Sequence, residues 1–219
     1  MNLVELLERD LGMVEYAAAL ALQEELVTRK IAGDCNDYLL LLEHEPVYTL
    51  GRGADAQDLR GADELLGVPV FRVGRGGGVT FHGPGQLVAY PIIRLRHAGR
   101  DVHRYVRSLE DVLIAACADF GIAAQRHPGQ TGVWVGTAKV ASIGVGVRRW
   151  TTFHGVALNV STDLSFFERI VPCRMPDVRM TSLARECGSA PPMHDVRATF
   201  VRHFRAAFSY AATAQECYA

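Results

Sequence analysis

The stretch RVGRGGGVTFHGPGQLVAYPII, residues 72–93, sets a cluster of glycines before a threonine, a histidine and an apolar strand pattern. Glycine loses more conformational freedom on folding than any other residue, so such a cluster is expected where the backbone passes close to something else. A run of glycines also lets a ligand reach main-chain N–H groups without side-chain obstruction. The stretch therefore predicts a ligand site between strands.

A turn is encoded at residues 83–86, Gly-Pro-Gly-Gln, directly after the histidine. Proline presets the second position of a type II turn, and glycine supplies the positive φ of its third position. This turn is expected to hold His82 at the head of a strand. The alternative is a tight hairpin with a structural histidine, but Arg75 and Thr80 in the same stretch favour a ligand site.

The rest of the chain alternates between runs of strands and isolated helices. Apolar periodicity, an Asp cap and glycine stops predict three longer helices, and apolar runs bounded by turns predict strands. Runs of strands without strict βαβ alternation favour an α+β fold, a mixed, largely antiparallel β-sheet flanked by helices. The helices are expected at 13–33, 101–121 and 194–208, short helical pieces at 163–170 and 181–186, and strands at 37–53 (broken at Pro46), 68–73, 86–95, 132–136, 138–149 and 153–161.

Length and composition indicate an ordinary globular protein with a sizeable core. The chain has 219 residues, 49% hydrophobic and 21% charged, with a formal net charge of −1. That balance gives no general attraction to nucleic acid or to a membrane, so neither is expected as a partner. The first residues carry acids where a signal peptide carries lysines, and no apolar run is long enough to span a bilayer. A cytoplasmic protein is expected.

Two sequence patterns argue against a nucleotide or metal cofactor. The segment at 51–56, GRGADA, has the form GxGxxA, but the following strand pattern ends without the acidic residue that a dinucleotide site needs. The five cysteines include no Cys-x-x-Cys pair, so neither a disulfide framework nor a zinc site is indicated. We expect no cofactor and no metal. Four of the thiols are expected to be small buried apolar residues: Cys35, Cys117, Cys187 and Cys217.

Two reactive side chains stand in unusual settings. Lys139 lies inside an apolar strand pattern, either as an edge or snorkelling residue or pointing into a pocket beside a carboxylate or thiolate. Cys173 lies between two prolines in VPCRMP, so its thiol is either held in position by a rigid loop or simply packed as a small residue. The spacing alone leaves both alternatives open for each residue.

Taken together, several segments resemble one known family. EHEPVYTLG, RGGGVTFHGPGQLVAYPI, TGVWVG with AKVASIG, FHGVALNV, and PCRM with TSL follow in this order. They resemble the octanoyltransferases of lipoate biosynthesis, also called lipoate-protein ligase B. The resemblance covers residues 38–185, and RGGxxTxHGPGQ is highly specific. It implies a biotin/lipoate protein ligase-like fold in a single catalytic domain over residues 1–219.

The resemblance also implies roles for particular residues. It places the family's acyl-thioester cysteine at Cys173 and its pKa-lowering lysine at Lys139. Position 174, usually glycine in the family, is an arginine here. The substrate-contacting positions that it implies are Arg75, Gly76, Gly77, Gly78, Val79, Thr80, Phe81, His82, Ser142, Ile143, Gly144, Gly155, Val156 and Ala157.

The implied reaction moves an octanoyl group from octanoyl-acyl carrier protein to a lysine. The acceptors would be lipoyl domains of 2-oxoacid dehydrogenases and the glycine-cleavage H protein. Apolar and glycine-rich strand segments would form the acyl slot, and His82 would handle protons or orient the catalytic pair. A local arginine cluster would dock the acidic carrier or form a solvated face: Arg94, Arg96, Arg100, Arg104 and Arg107. The alternatives are an ATP-dependent lipoate or biotin ligase and a non-catalytic acyl-binding module.

Overall fold

The structure, a computed structural model, describes residues 4–55, 58–59, 67–95, 100–171 and 178–210. The helices within these ranges are α1 (Tyr16–Ile31), α2 (Val102–Asp119), a 3₁₀-helix (Leu164–Arg169), α3 (Leu183–Cys187) and α4 (Met193–Ala207). The strands are β1 (Leu6–Val14), β2 (Asp37–His44), β3 (Val47–Leu50), β4 (Val70–Arg72), β5 (Val79–His82), β6 (Gln86–Ile92), β7 (Ala124–His127), β8 (Gln130–Val135), β9 (Ala138–Arg148), β10 (Thr151–Asn159) and β11 (Arg179–Met180).

The strands form a large mixed sheet and a small one. In the large sheet the order is β1-β2-β6-β10-β9-β8-β7, and β11 pairs with the start of β9. Strands β1 and β2 are parallel and are connected through α1, as a parallel pair requires. The path from β2 to β7 is antiparallel throughout. The small sheet has the order β4-β3-β5. The predicted α+β class, mixed and largely antiparallel with flanking helices, is confirmed.

Helices cover both faces of the large sheet. One apolar cluster joins its first face to α2 and α4, and a second joins the opposite face to α1. Because β2 lies between these layers, its sequence DYLLLLEH is apolar without alternation, and seven of its eight residues are buried. A third cluster packs the small sheet against the 3₁₀-helix. The small sheet thus forms a separate wall beside the large one.

The turn at 83–86 is confirmed, but it holds His82 differently from the prediction. The N–H of Gln86 donates to the carbonyl of Gly83 at 3.2 Å, and Gly85 has a φ of +77°. His82 is the last residue of β5 and precedes the turn. It therefore ends one strand, whereas the sequence suggested that it begins the next.

The cysteine expectation is partly wrong. Cys117 is buried on α2, and burial raises the pKa of its thiol to about 12. Cys35 and Cys187 are exposed, because both lie where a helix has already ended or is ending. Cys217 and Cys173 lie outside the described residues. Among the residues that the structure describes, no helix combines the length and the hydropathy needed to cross a membrane.

Candidate active site

A cleft of about 430 Å³, including its open mouth, lies where the small sheet meets the β9–β10 pair of the large sheet. Three of its lining residues are tyrosines or histidines that the sequence analysis had not singled out. The lining is formed by Tyr16, Arg75, Gly77, Thr80, His82, Tyr90, Ser142, Ile143, Gly144, His154, Gly155, Val156 and Ala157.

Strand register brings two of the predicted segments together. Ser142 pairs with Ala157, and Gly144 pairs with Gly155, in the antiparallel β9–β10 ladder. A Cβ at position 155 would lie 2.2 Å from the carbonyl oxygen of Ala89 on β6. Glycine at this position therefore permits the close approach of β6 and β10 and keeps the sheet surface below the cleft shallow.

Glycines from other segments pack around Arg75 of the glycine stretch. A Cβ at Gly51 would lie 2.8 Å from Nη1 of this arginine, and a Cβ at Gly144 would lie 2.9 Å from its Cδ. The Nη2 group donates to the carbonyl and to the hydroxyl of Thr49, at 2.7 and 2.8 Å. Of the four glycines at 74–78, Gly77 alone is in the cleft lining. The local glycines thus accommodate a buried guanidinium.

Four other predicted contact residues face away from the cleft. Strand residues alternate between faces, so Val79 and Phe81 enter the apolar cluster of the small sheet while Thr80 and His82 face the cleft. The N–H of Gly76 donates to a β9 carbonyl at 2.9 Å, and the carbonyl of Gly78 accepts from the N–H of Gly51 at 3.1 Å. The two glycines therefore fix the loop against its neighbours.

A hydrogen-bond network assigns the tautomer of His82. The side-chain Nε2 of Gln86 donates to the carbonyl of Phe81 at 3.2 Å and to Oδ1 of Asn159 at 2.9 Å. The Oε1 atom of Gln86 therefore faces Nδ1 of His82, 2.8 Å away, as an acceptor. His82 thus carries its proton on Nδ1.

The other nitrogen of His82 is also engaged. Its Nε2 lies 3.3 Å from the hydroxyl of Thr49, which already accepts from Arg75 and is left to donate to the ring. Burial, together with the nearby His44 and Arg75 charges, holds the pKa of His82 well below its usual range. His82 is therefore neutral with both nitrogens occupied, which supports the orienting alternative over proton handling.

Residues that sequence reasoning missed supply the polar part of the cleft. The hydroxyl of Tyr90 lies 2.8 Å from Nε2 of His44, whose Nδ1 donates to the carbonyl of Val14 at 2.8 Å. Burial lowers the pKa of His44 to about 4 and that of His154 to about 3, and it raises the pKa of Tyr16 to about 12. All of these groups are neutral at physiological pH. The available signal was the presence of polar residues within otherwise apolar strand patterns.

Lys139 is on the strand that carries the cleft residues 142–144 but is not itself part of the lining. It is on β9 and only 1% exposed, with its Nζ 5.0 Å from the ring centre of Trp134. A Cβ at Gly132 would lie 2.6 Å from its Cε, 3.2 Å from its Nζ and 2.7 Å from the carbonyl oxygen of Ala141. The side chain therefore runs along β9 toward Ala141, the residue before Ser142 of the cleft lining.

The segment that carries Cys173 and Arg174 lies outside the described residues, but both of its flanks are described. On one side, the N–H of Val171 donates to the carbonyl of Asp58 at 2.7 Å. On the other side, Met180 of β11 pairs with Lys139 in a parallel bridge. The chain therefore leaves this segment next to the lysine.

The predicted arginine cluster is partly dispersed. Arg107 forms an ion pair at 2.7 Å with Glu110, which is fully buried. Arg100 lies over the ring of Trp150, with 5.7 Å between its Cζ and the ring centre. Arg96 lies outside the described residues. Arg107 therefore forms an ion pair with a residue of this chain.

Comparison with known proteins agrees with this geometry. A family model described as "Lipoyl protein ligase A/B catalytic domain" matches residues 15–205. A protein named octanoyltransferase from Geobacter metallireducens is 51% identical over 196 residues, 90% of each chain. One of the same name from Rubrobacter xylanophilus is 51% identical over 199 residues, 89% of each chain.

Solved structures show the same fold at low sequence identity. A lipoate-protein ligase A bound with ATP matches with a TM-score of 0.76 and 17% identity, covering 94% of this chain and 85% of that one. A bipartite lipoate protein ligase from Thermoplasma acidophilum matches with a TM-score of 0.72 and 17% identity, covering 94% and 84%. Both the lipoate-ligase-like fold and the family resemblance are confirmed. The chain belongs to the lipoyl protein ligase A/B catalytic domain family and is an acyltransferase.

Proposed function

We propose that this enzyme transfers an octanoyl group from octanoyl-acyl carrier protein to a lysine of a lipoyl domain or of the glycine-cleavage H protein. Cys173 carries the acyl group between donor and acceptor as a thioester. The observation that carries the proposal is the buried amine of Lys139 on β9, the strand that supplies Ser142, Ile143 and Gly144 to the lining of the cleft. About 50% identity to named octanoyltransferases supports the choice of acyl group.

The first half-reaction needs the Cys173 thiolate. A free thiol has a pKa of about 8.5 and is mostly protonated at neutral pH, and a nearby ammonium on Lys139 favours the ionised form. Lys139 takes the proton of Cys173 and stays beside the sulfur as an ammonium, the sulfur attacks the donor carbonyl, and the carrier thiolate leaves. The ammonium then gives that proton to the carrier thiolate, which becomes a thiol, and Lys139 is left neutral. Exchange of one thioester for another is close to balanced in energy, so the enzyme is loaded reversibly.

The second half-reaction forms an amide. The acceptor amine attacks the Cys173 thioester, its proton passes to neutral Lys139, and the cysteine sulfur leaves as thiolate. Main-chain N–H groups beside the cleft stabilise the oxyanion of each step, and losing one such donor typically costs about a hundredfold in rate. The neutral, doubly hydrogen-bonded His82 orients its neighbours and moves no proton.

The cleft also accounts for selection of a medium chain. About six methylenes of an octanoyl group enter the lining, and each contributes about 0.8 kcal/mol on burial, or about 5 kcal/mol in total. Acetyl lacks these methylenes. The apolar contacts come from three lining residues on the β9–β10 surface, Ile143, Val156 and Ala157.

The decisive experiment incubates the enzyme with octanoyl-carrier protein and a lipoyl domain without ATP. We expect octanoyl transfer, and mass spectrometry of the enzyme after donor alone should show an octanoyl adduct at Cys173. Cys173→Ser should abolish both, whereas Cys187→Ser, at an exposed thiol remote from the cleft lining, serves as the matched control and should retain both. Strict dependence on ATP and free octanoate would instead identify a ligase and overturn the proposal.

The role of Lys139 has a separate test. Lys139→Ala should raise the pKa of the Cys173 thiol, so alkylation of that thiol at neutral pH should slow by about tenfold, while alkylation at pH 10 should be unchanged. Equal rates for the variant and the parent at neutral pH would contradict the pairing of amine and thiol.

A further inference from the structure

Two polar atoms in the cleft lining have no hydrogen-bond partner among the described residues. They are the hydroxyl oxygen of Thr80 and Nε2 of His154. Thr80 is 5% exposed and His154 is 2% exposed, so solvent does not satisfy them. Buried polar groups in native proteins are nearly always paired, and leaving one unpaired is costly. Such a pair in a ligand cleft indicates a ligand atom that completes it.

The backbone at His154 is unusual for its position within a strand. Its φ is +55°, which is uncommon outside glycine, and its N–H donates to Oε1 of Gln23 on α1 at 2.7 Å. The ring packs 5.0 Å from Phe153 and 6.1 Å from Tyr90, measured between ring centres. Backbone strain of this kind persists where the surrounding structure imposes it, and it clusters at binding sites. The fold therefore holds the imidazole in the cleft at a conformational cost.

His154 is expected toward the end of the cleft that is remote from Lys139. The lysine side chain ends beside Ala141, whereas His154 pairs with Val145, four residues further along β9. Four residues of an antiparallel strand span about 14 Å. An extended octanoyl chain spans about 9 Å between its first and last carbons, and a contact of about 4 Å at its tail brings its reach to about 13 Å. The tail of the acyl group is therefore expected to reach His154, and Thr80 lines the same cleft.

We propose that Thr80 and His154 form a polar terminus that hydrogen-bonds the tail of the acyl group, so that the enzyme also transfers medium-chain acyl groups bearing a hydroxyl on the terminal carbon. The inference rests on the proposed function and adds a substrate class to it. The Thr80 hydroxyl both donates and accepts, and the imidazole nitrogen takes the complementary role. A terminal hydroxyl satisfies both atoms at once, whereas further methylenes of a longer alkyl chain would cover them without pairing.

The test compares octanoyl-carrier protein with 8-hydroxyoctanoyl-carrier protein as donors for the full-length enzyme and a lipoyl domain. A purely apolar site rejects an added hydroxyl by about a hundredfold. We expect the two kcat/KM values to agree within about threefold. Thr80→Val, which keeps the shape and removes the hydroxyl, should lower the hydroxyoctanoyl-to-octanoyl ratio of kcat/KM by about tenfold. Thr80→Ser, which keeps the hydroxyl, is the control and should preserve the ratio.

Folding and function are separable in this test. Because the Thr80 hydroxyl is unpaired, the urea midpoint of Thr80→Val should equal or exceed that of the parent. A hundredfold rejection of 8-hydroxyoctanoyl by the parent would overturn the inference while leaving octanoyl transfer intact. A ratio unaffected by Thr80→Val, as expected if a water molecule occupies the polar terminus, would also overturn it. Failure of the parent to transfer octanoyl would overturn the proposed function and this inference together.

Discussion

Substituting Gly132 by alanine should displace the amine of Lys139. The added methyl would lie 2.6 Å from Cε of that lysine and 2.7 Å from the carbonyl oxygen of Ala141. The carbonyl belongs to the β8–β9 ladder, and the N–H of Gly132 is itself fixed by Glu110, whose Oε1 accepts from it at 3.1 Å. The contact with Cε is relieved only if the buried lysine side chain moves out of its present position, and the contact with the carbonyl oxygen adds a backbone shift to the cost.

The substitution is expected to lower both the stability of the protein and the rate of octanoyl transfer. Gly132 has a φ of +131°, where a non-glycine residue costs about 1–3 kcal/mol. For a protein of this size, about 2 kcal/mol corresponds to a Tm decrease of about 4–8 °C. A misplacement of about 1 Å at a catalytic group typically costs about a hundredfold in rate. We therefore expect Gly132→Ala to lower octanoyl transfer by about a hundredfold at a temperature where the variant is still folded.

Gly136→Ala is the matched control in the connection between β8 and β9. Its φ is +56°, and no atom lies within 4 Å of the added methyl. It should lose stability by about 1 kcal/mol and keep octanoyl transfer within about twofold. Transfer is measured by mass spectrometry of the lipoyl domain at 20 °C, and folding is measured by circular dichroism. Transfer by Gly132→Ala within threefold of the parent would refute the reasoning, as would equal losses of transfer in the two variants.

Four further predictions concern residues in the walls of the cleft or close to it. Gly155→Ala should lower the free energy of unfolding by more than about 3 kcal/mol, because its methyl would lie 2.2 Å from a backbone oxygen. Gly76→Ala, with its nearest contact at 3.6 Å, should change it by less than about 0.5 kcal/mol, as measured in urea. Arg75→Lys should destabilise by about 2–4 kcal/mol in the same assay, because lysine cannot reproduce the paired bonds to Thr49. The pKa of His44 falls from 6.5 to about 4 on folding. The unfolded chain therefore takes up the proton first, and stability is lost as pH falls through that window, by up to about 3 kcal/mol. His44→Asn should flatten that part of the acid-unfolding curve, and an unchanged curve would contradict the assignment.

The elements that sequence alone predicted share strong local signals. The Asp101 cap accepts from two N–H groups at the start of α2, and the turn at 83–86 forms as its proline and glycines require. The strands β1 and β7 were not predicted. Charged residues interrupt the apolar alternation of β1. The position of β1 in the sheet is set by its parallel pairing with β2, to which a crossover helix connects it. The edge strand β7 is polar and partly exposed, so its pairing to β8 has no apolar pattern.

The sequence predicted those parts of the site in which recognised motifs lie on strands that pair directly. It did not predict the residues that tertiary packing brings to the cleft. The segments at 142–144 and 155–157 meet because they pair directly across two neighbouring strands. Tyr16 reaches the same cleft from the first turn of α1, a contact that no local pattern encodes. His154 lay within a recognised segment, but only its positive φ turns the ring toward the cleft. Strand alternation, conversely, removes Phe81 from a run of consecutive predicted contacts.

Some glycines of the site serve to bury a cation, which composition alone did not predict. Glycines were expected to line an acyl chain, and Gly77, Gly144 and Gly155 do lie in the cleft lining. Gly51 and Gly144 also leave room for a guanidinium held by Thr49. A buried cation is tolerated only when its donors are paired, and glycines bring the pairing carbonyls close enough. The charge of Arg75 then lowers the pKa of both His82 and His154, although burial is the larger cause for each. The glycines therefore act on the electrostatics indirectly: by leaving room for one permanent cation, they add to the effect of burial in keeping His82 and His154 neutral.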